Sequence, residues 1–130
     1  GDGYDDIAEH IDTAGHVEPG DVVVIDPNHD EQVVKSTKPY DTAVAGIIST
    51  EPAMVIGKSD TETPLALAGR VLCKVSAENG PVHRGDLLTT SSTPGHAMKA
   101  TEPTIGTILG KAMGELESDT GVITVLVTLQ

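Results

Sequence analysis

The sequence almost lacks large aromatic side chains: it has no Phe and no Trp, and its only tyrosines are Tyr4 and Tyr40. A core must therefore be built from Val, Ile, Leu and Ala, each of which buries less area than an aromatic ring. β-branched side chains favour sheets, and 14 Gly with 8 Pro favour many short strands joined by turns. The 130 residues predict one domain with its own core, and burial between subunits would add to its stability.

Basic residues are also scarce, because 8 Lys and Arg stand against 20 Asp and Glu and give a net charge of −12. No basic stripe exists that could displace counterions from phosphate, so nucleic acid is not expected as a partner. An anionic membrane surface is disfavoured for the same reason. No apolar run approaches the roughly 20 residues of a membrane helix, and no signal peptide is visible.

Cysteine and metal-ligand patterns are nearly absent too. The single cysteine, Cys73, excludes an intrachain disulfide, and its place in an apolar pattern indicates a small buried hydrophobe. The five histidines include one close pair, His10 and His16, but nothing resembles a zinc or calcium motif. We therefore expect no metal and no cofactor. The hydroxyl run from Ser91 to Thr93 is interpreted as a turn, since no base can be placed beside it from sequence.

The clearest signal that is present is an alternating pattern from Leu65 to Ala77, which predicts a long half-buried strand with Cys73 on its apolar face. The Asn79-Gly80-Pro81 segment then predicts a turn. Arg70 and Lys74 lie on the more polar face and are interpreted as solvated or interface charges. Further short strands are predicted at 22–26, 32–36, 43–50, 54–56, 87–90, 95–100 and 122–129.

Glycine modifies two of the predicted segments. Gly46 inside the strand at 43–50 indicates a β-bulge or a close backbone approach. Apolar spacing between 104 and 116 also fits a helix, but Gly106, Gly110 and Gly114 argue against one, at about 1 kcal/mol each relative to Ala. The sequence thus predicts an all-β fold of many short strands and hairpins, in a compact barrel- or sandwich-like domain.

A weak internal repeat is visible. Val17–Val23 and Val82–Leu88 share the form Val-x-x-Gly-Asp-apolar-apolar, and each precedes a Gly-containing apolar strand by some twenty residues. Gly-Asp is common turn chemistry, so chance similarity is one explanation. The other is a pair of similar β-units folded against one another.

The N-terminal segment carries the candidate chemistry. Residues 1–4 are expected to form a flexible stub, and residues 5–130 a single β-rich assembly domain. Asp6 and Glu9 would share a face on a helical turn and point to opposite faces on a strand. A carboxylate held against the preceding peptide bond could act as a general base for water or as an acid toward the leaving amine. An acidic, partly ordered arm is the simpler interpretation.

The order and spacing of five short motifs resemble the C-terminal intramolecular-chaperone domains of phage appendage and tail-fibre proteins. This family includes autoprocessing domains classed among glutamic peptidases, and the resemblance extends from Asp5 to Gln130. The motifs are Asp6-Ile7-Ala8-Glu9, Glu18–Asp26, Tyr40–Thr50, Leu65–Val71 and Gly85–Thr89.

The resemblance implies a β-rich domain at the end of a fibrous homotrimer, located on a virion or cell surface and assisting assembly of the upstream fibre segment of its own chain. In autoprocessing members, the corresponding bond is Asp5-Asp6 and the acting carboxylate is Glu9, with Asp6 after the cut. Asp5 stands where those members have Ser, and Ile7 stands where they have an aromatic residue. Non-enzymatic assembly is therefore the leading expectation, self-cleavage is an alternative, and a glycan- or surface-binding module is another.

Overall fold

The computed structural model describes residues 6–50, 54–56 and 62–130. Its fold is all-β, as the sequence predicted, and the described residues contain no helix. Ten strands follow one another: β1 (Asp6–Thr13), β2 (Val22–Ile25), β3 (Gln32–Lys35), β4 (Val44–Ile48), β5 (Met54–Ile56), β6 (Thr63–Ser76), β7 (Leu87–Thr90), β8 (Ala97–Lys99), β9 (Ile108–Ala112) and β10 (Thr120–Thr128).

The long strand β6 is central to the fold, because it pairs with β1, β4, β8 and β10. Leu65, Val71, Cys73 and Val75 are buried on one of its faces, which confirms the alternation predicted from sequence. Burial raises the pKa of the Cys73 thiol, as expected for an inert core cysteine. The segment after Thr104 forms strand β9, so glycine outweighed the helical spacing there.

Strand pairing closes two rings that share β6. The first ring runs β6-β4-β2-β3-β1 and returns to β6. The second ring runs β6-β10-β9-β7-β8 and also returns to β6. β5 pairs in parallel with β1, outside the first ring. Of the two predicted architectures, the pairing therefore supports small closed barrels, which leave few strand edges exposed.

The two rings repeat one strand plan. β1 and β3 pair in parallel in the first ring, as β6 and β8 do in the second, and the remaining pairs in both rings are antiparallel. Both rings have a register shift at the same place: between Val23 and Val24 in the first, between Leu88 and Thr89 in the second. The first ring has another between Ile7 and Ala8. At the two equivalent shifts Val23 pairs with Gly46 and Leu88 pairs with Gly110, so the irregularity predicted at Gly46 is confirmed.

The repeated Gly-Asp turns match atom by atom. Gly20 and Gly85 have φ angles of 91° and 90°. The Asp21 carboxylate accepts the Glu18 backbone N–H at 2.8 Å, and the Asp86 carboxylate accepts the His83 N–H at 2.7 Å. Such carboxylate-to-backbone bonds fix the turn before the next strand begins. The repeat therefore reflects two similar β-units and not chance turn chemistry.

Apolar packing differs between the rings. The first ring encloses a small cluster of four fully packed residues, Val23, Val33, Ile48 and Leu65. The larger cluster fills the second ring and extends to Val22, Ile47 and Ala66 on the outer side of the first. Leu109, which alternation places outside the second ring, is fully buried in that same cluster. The two rings thus share a continuous apolar contact in addition to β6.

Candidate functional site

The N-terminal strand places the two predicted site residues on opposite faces. Asp6 and Ala8 are buried, whereas Ile7 and Glu9 are exposed, which is the alternation of a strand and not the geometry of a helical turn. Asp5, which would contribute the other half of the predicted cleavage junction, lies outside the described residues. The structure therefore brings Asp6 and Glu9 onto one element without joining their carboxylates.

The Asp6 carboxylate is buried without a partner. The residue is 1% exposed, pairs with Gly69 of β6, and neither of its carboxylate oxygens has a hydrogen-bond partner. Nδ1 of His10, on the same face of the strand, is also buried and unpartnered. Burying a polar group without a hydrogen bond is costly, so the described residues alone leave this end of β1 unsatisfied.

Glu9 instead lines an acidic cleft of about 350 Å³. Asp12, Glu31 and Glu62 contribute to the same cleft, so four carboxylates surround it. Within residues 6–50 and 62–130, no group of three or more possible metal ligands has the arrangement needed to hold a metal ion. Like charges gathered this way attract a positively charged surface and repel an acidic one.

The strongest charged cluster lies where the rings meet. Nζ of Lys74 on β6 is 2.8 Å from the Asp21 carboxylate and also contacts Glu18, while Lys35 lies 3.7 Å from Asp21. Partial burial opposes protonation, but the hydrogen bonds to Asp21 and Glu18 raise the pKa of Lys74 above its ordinary value. The bond from Lys74 in turn lowers the pKa of Glu18. The interpretation of Lys74 as a solvated or intersubunit charge is wrong, because it pairs within its own chain.

The corresponding turn of the second ring is open. The Asp86 side chain is 22% exposed, against 1% for Asp21, and its cation Lys99 stands 3.9 Å away. His83 and Arg84 beside it are 56% and 70% exposed, with Arg84 paired to Glu115 at 3.2 Å. This surface brings three basic side chains together with the carboxylates of Asp86 and Glu115, in a chain whose net charge is −12.

The hydroxyl run is a structural turn, as predicted. Ser91 Oγ donates to the His96 carbonyl at 2.9 Å, and Glu78 accepts hydrogen bonds from Ser92 and Thr93. Desolvation opposes ionisation of Glu78, but these hydroxyl donors lower its pKa to about 2. All three hydroxyls therefore hold a loop, and the carboxylate that Ser92 and Thr93 contact, Glu78, is a weak base because its pKa is lowered.

Within the part of the chain that the structure describes, no helix is long and apolar enough to cross a membrane.

Sequence comparison gives no relatives: no protein-family description matches the chain, and no curated protein does either. Comparison of structures gives matches, among them the crystal structure of the head fibre gp8.5 N base of bacteriophage phi29. The likeness has a TM-score of 0.53 at 16% sequence identity and covers 94% of this chain and 93% of that one. It shows that the chain has the fold of that head-fibre base, including both rings within its extent.

Proposed function

We propose that this chain is a non-enzymatic structural domain of a phage fibre or similar virion appendage, which associates with copies of itself as a homotrimer and thereby supports assembly of the fibre. The observation that carries the proposal is the likeness to a head-fibre base over nearly the full length of both chains. The domain would be located on the virion.

The surface of the domain supports self-association. Among the described residues, six large apolar side chains are at least 39% exposed: Ile7, Ile25, Ile105, Met113, Val122 and Leu129. Ile105 is 93% exposed, which gives an aliphatic side chain no packing of its own. Contacts between copies would bury such groups and add to a core whose described residues are aliphatic or sulfur-containing.

The decisive experiment is the mass of the purified chain in solution. Light scattering coupled to gel filtration should give about three times the 13.4 kDa chain mass at tens of micromolar. A monomer that persists at the highest soluble concentration would refute the proposal. A stable dimer would refute the trimer and leave self-association standing.

Chaperone activity within a longer chain is the finer part of the proposal. The resemblance noted from sequence places such domains after the fibre, whereas the similar structure is described as a base. Expression of an upstream fibre segment with and without this domain would test the role: the segment alone should be insoluble or monomeric, and the fusion should be a soluble trimer. Equal solubility and assembly of both products would exclude it.

Self-cleavage before Asp6 is the second candidate, and the buried, unpartnered Asp6 carboxylate is what favours it, because a cut there would create an α-ammonium group beside that carboxylate. A fusion with a native upstream segment should then release a product beginning at Asp6, and Glu9→Gln should abolish the release while Glu62→Gln, in the same cleft, should not. An uncut wild-type fusion, or cleavage by the Glu9→Gln variant, would exclude Glu9 catalysis.

A further inference from the structure

The junction between the rings is a set of specific contacts from the first ring to the second. Lys74 N–H donates to the Gly20 carbonyl at 3.0 Å, and its ammonium binds Asp21 and Glu18. Val22 N–H donates to the Gly95 carbonyl at 2.8 Å. These contacts bury Gly20, Asp21 and Gly95 completely or nearly so.

A second part of the junction involves the connection between β3 and β4. Asp41 N–H donates to Oγ1 of Thr90 at 2.9 Å, and Thr90 Oγ1 donates to the Lys38 carbonyl at 2.7 Å. Thr90 is fully buried as a result. The first ring therefore offers one face to the second, consisting of its Gly-Asp turn and its β3–β4 connection.

Because the rings repeat, every partner in this junction has a counterpart elsewhere. Thr13 pairs with Val33 in the first ring as Val75 pairs with Ala97 in the second, so Thr13 corresponds to Val75. The residues just before them, Asp12 and Lys74, therefore correspond as well. Glu31 corresponds to Gly95, and both have left-handed φ angles, 56° and 73°. On the β2 and β7 strands, Ile25 pairs with Val33 as Thr90 pairs with Ala97, so Ile25 corresponds to Thr90.

The turn side has counterparts as well. The Gly85-Asp86 turn corresponds to Gly20-Asp21, and His83 corresponds to Glu18. Ile105 corresponds to Asp41, since each lies two residues after a proline and three residues before the first residue of β4 or β9.

Several counterparts are exposed where the originals are buried: Gly85 against Gly20, Glu31 against Gly95 and Ile25 against Thr90. The second ring leaves its turn and its β8–β9 connection open, and we call this surface the leading face: His83, Arg84, Gly85, Lys99 and Ile105. The first ring leaves β1 and the β2–β3 connection open, and we call this surface the trailing face: Glu9, Asp12, Ile25 and Glu31. Ile25 is 58% exposed and Ile105 93%.

The two open faces are complementary to each other. Within the chain the turn carries the acid, Glu18, and the facing strand carries the base, Lys74. Between the open faces this polarity is reversed, because His83 stands in place of Glu18 and Asp12 in place of Lys74. Within the chain, Asp41 contacts Thr90. On the open faces Ile105 stands in place of Asp41 and Ile25 in place of Thr90, and burying these two apolar side chains against each other would be favourable.

Overall charge sharpens this complementarity. Copies with a charge of −12 repel one another at long range, so association requires local matching of opposite charges. The leading face contains His83, Arg84 and Lys99, of which Arg84 pairs with Glu115 and Lys99 lies 3.9 Å from Asp86. The trailing face contributes Glu9, Asp12 and Glu31 to the cleft of four carboxylates.

We infer that the leading face docks onto the trailing face of a second copy, and repeats between chains the junction that joins the rings within one chain. The partner is a second copy of this chain, the contact is head to tail, and His83 faces Asp12 while Ile105 faces Ile25. Heterologous contacts of this kind close into a cyclic oligomer when the rotation between copies permits. The inference rests on the proposed self-association and specifies the surfaces that carry it.

Charge exchange tests the inference. Asp12→Lys places a cation against Arg84 and Lys99, and His83→Glu places a carboxylate against the acidic trailing face. Each single variant should weaken association at least about tenfold, which corresponds to about 1.4 kcal/mol. The double variant Asp12→Lys/His83→Glu recreates the Glu18–Lys74 polarity at every contact and should recover association to within about threefold of wild type. Sedimentation equilibrium measures all four proteins, with thermal unfolding as a check that the fold is intact.

Ile105→Ser tests the apolar half, with Val122→Ser as its matched control. Both residues are exposed and aliphatic, but Val122 belongs to neither face. Ile105→Ser should weaken association at least about tenfold, and Val122→Ser should change it less than about threefold.

The outcomes separate the two proposals. If wild type is a monomer at all concentrations, both the proposed function and this inference fall. If wild type associates but the single charge variants match it, or the double variant is weaker than both singles, self-association stands and the head-to-tail contact is overturned. Equal effects of Ile105→Ser and Val122→Ser would overturn it likewise.

Discussion

The two rings share a backbone plan and differ in what covers them. The Gly-Asp turn of the first ring is buried against Lys74, with the Asp21 side chain 1% exposed; the turn of the second ring meets solvent, with Asp86 22% exposed. The same turn chemistry, with the same φ at glycine, thus serves as a buried junction in one place and as an open surface in the other. Local sequence determines the turn, whereas position in the chain determines its burial.

The outer sides of the rings differ in the same direction. A cross-strand row of the first ring is completely buried: Ala8, Ala66, Ile47 and Val22. The corresponding row of the second ring, Arg70, Leu126, Lys111 and Leu87, is at least partly exposed and contains two cations. In this row, therefore, the first ring has buried apolar residues on its outer side, whereas the second ring exposes cations there.

The largest expected effects test whether the rings are equivalent where strands approach most closely. A Cβ at Gly46 would lie 2.4 Å from the Ala66 carbonyl oxygen, and one at Gly110 would lie 2.1 Å from the Leu126 carbonyl oxygen. We expect Gly46→Ala and Gly110→Ala each to cost at least about 3 kcal/mol of unfolding free energy, since backbone must move to relieve the clash. Urea unfolding followed by circular dichroism measures both.

Gly106→Ala is the control for these variants. Its φ of 89° is left-handed, but a Cβ there meets nothing within 4 Å, so only backbone strain of about 1 to 2 kcal/mol applies. If Gly110→Ala were as mild as Gly106→Ala, the close approach in the second ring would not constrain that ring as it does the first.

The second prediction separates the two Gly-Asp turns. Lys74→Met leaves the buried Asp21 carboxylate with the Glu18 N–H and the more distant Lys35, at 3.7 Å, and should cost about 3 kcal/mol because a buried charge loses its closest cation. Lys99→Met removes a more exposed cation 3.9 Å from Asp86 and should cost about 0.5 kcal/mol. Chemical denaturation of both variants gives the two free energies. Equal losses would mean that burial does not distinguish the turns.

Much of the fold could be predicted from sequence because it follows from local patterns. Alternation along β6, the burial of Cys73, the turn at Gly80 and the irregularity at Gly46 each rest on neighbouring residues. The repeat was visible at Gly20-Asp21 and Gly85-Asp86. Its extension to the connections containing Pro39 and Pro103 needs only the spacing of these prolines, and that alignment by itself matches Ile105 to Asp41.

Long-range contacts could not be predicted. Ring closure depends on short parallel pairs, such as Val75 with Ala97, that join segments with no local signal. The Lys74–Asp21 pair spans 53 residues, so Lys74 resembled any other charge on a half-buried strand. The burial of Asp6 was missed for the same reason, because it depends on β6 and not on the acidic segment around it.

The third prediction compares how the two rings hold the loop after β2 or β7. In the second ring, Glu78 accepts bonds from Ser92 and Thr93, which lower its pKa to about 2 from 4.5 although desolvation acts the other way. In the first ring, Asp26 performs this role, its pKa lowered by the Asn28 N–H and by His29. A carboxyl group with a lowered folded-state pKa stabilises the fold above its unfolded pKa, and that contribution is lost as pH falls through the folded value.

Glu78→Gln should therefore be less stable than wild type near pH 6, by about 1 kcal/mol after allowance for exposure of the side chain. The difference should shrink as pH falls from 4.5 toward 2, where wild type also loses the charge. Urea midpoints across this range measure it, with exposed Glu117→Gln as the control. A difference that does not change with pH would assign the effect to side-chain packing.

The smallest expected effect concerns a tyrosine that links the rings. The Tyr40 hydroxyl, in the β3–β4 connection, accepts the backbone N–H of Thr101 at 3.0 Å and of Glu102 at 3.2 Å, in the β8–β9 connection. Tyr40→Phe should cost at most about 1 kcal/mol, because both donors can turn to water at this exposed site. The corresponding residue, Thr104, bonds only within its own loop, and Thr104→Ala should cost less.

Desolvation opposes ionisation, but the donors lower the pKa of Tyr40 below 10.0, so an absorbance titration of wild type minus Tyr40→Phe should show the shift. If the two variants lose equal stability and the titration shows no shift, the connections pack without this bond, and the junction of the rings depends on its other contacts, those of Lys74, Thr90 and the shared apolar cluster.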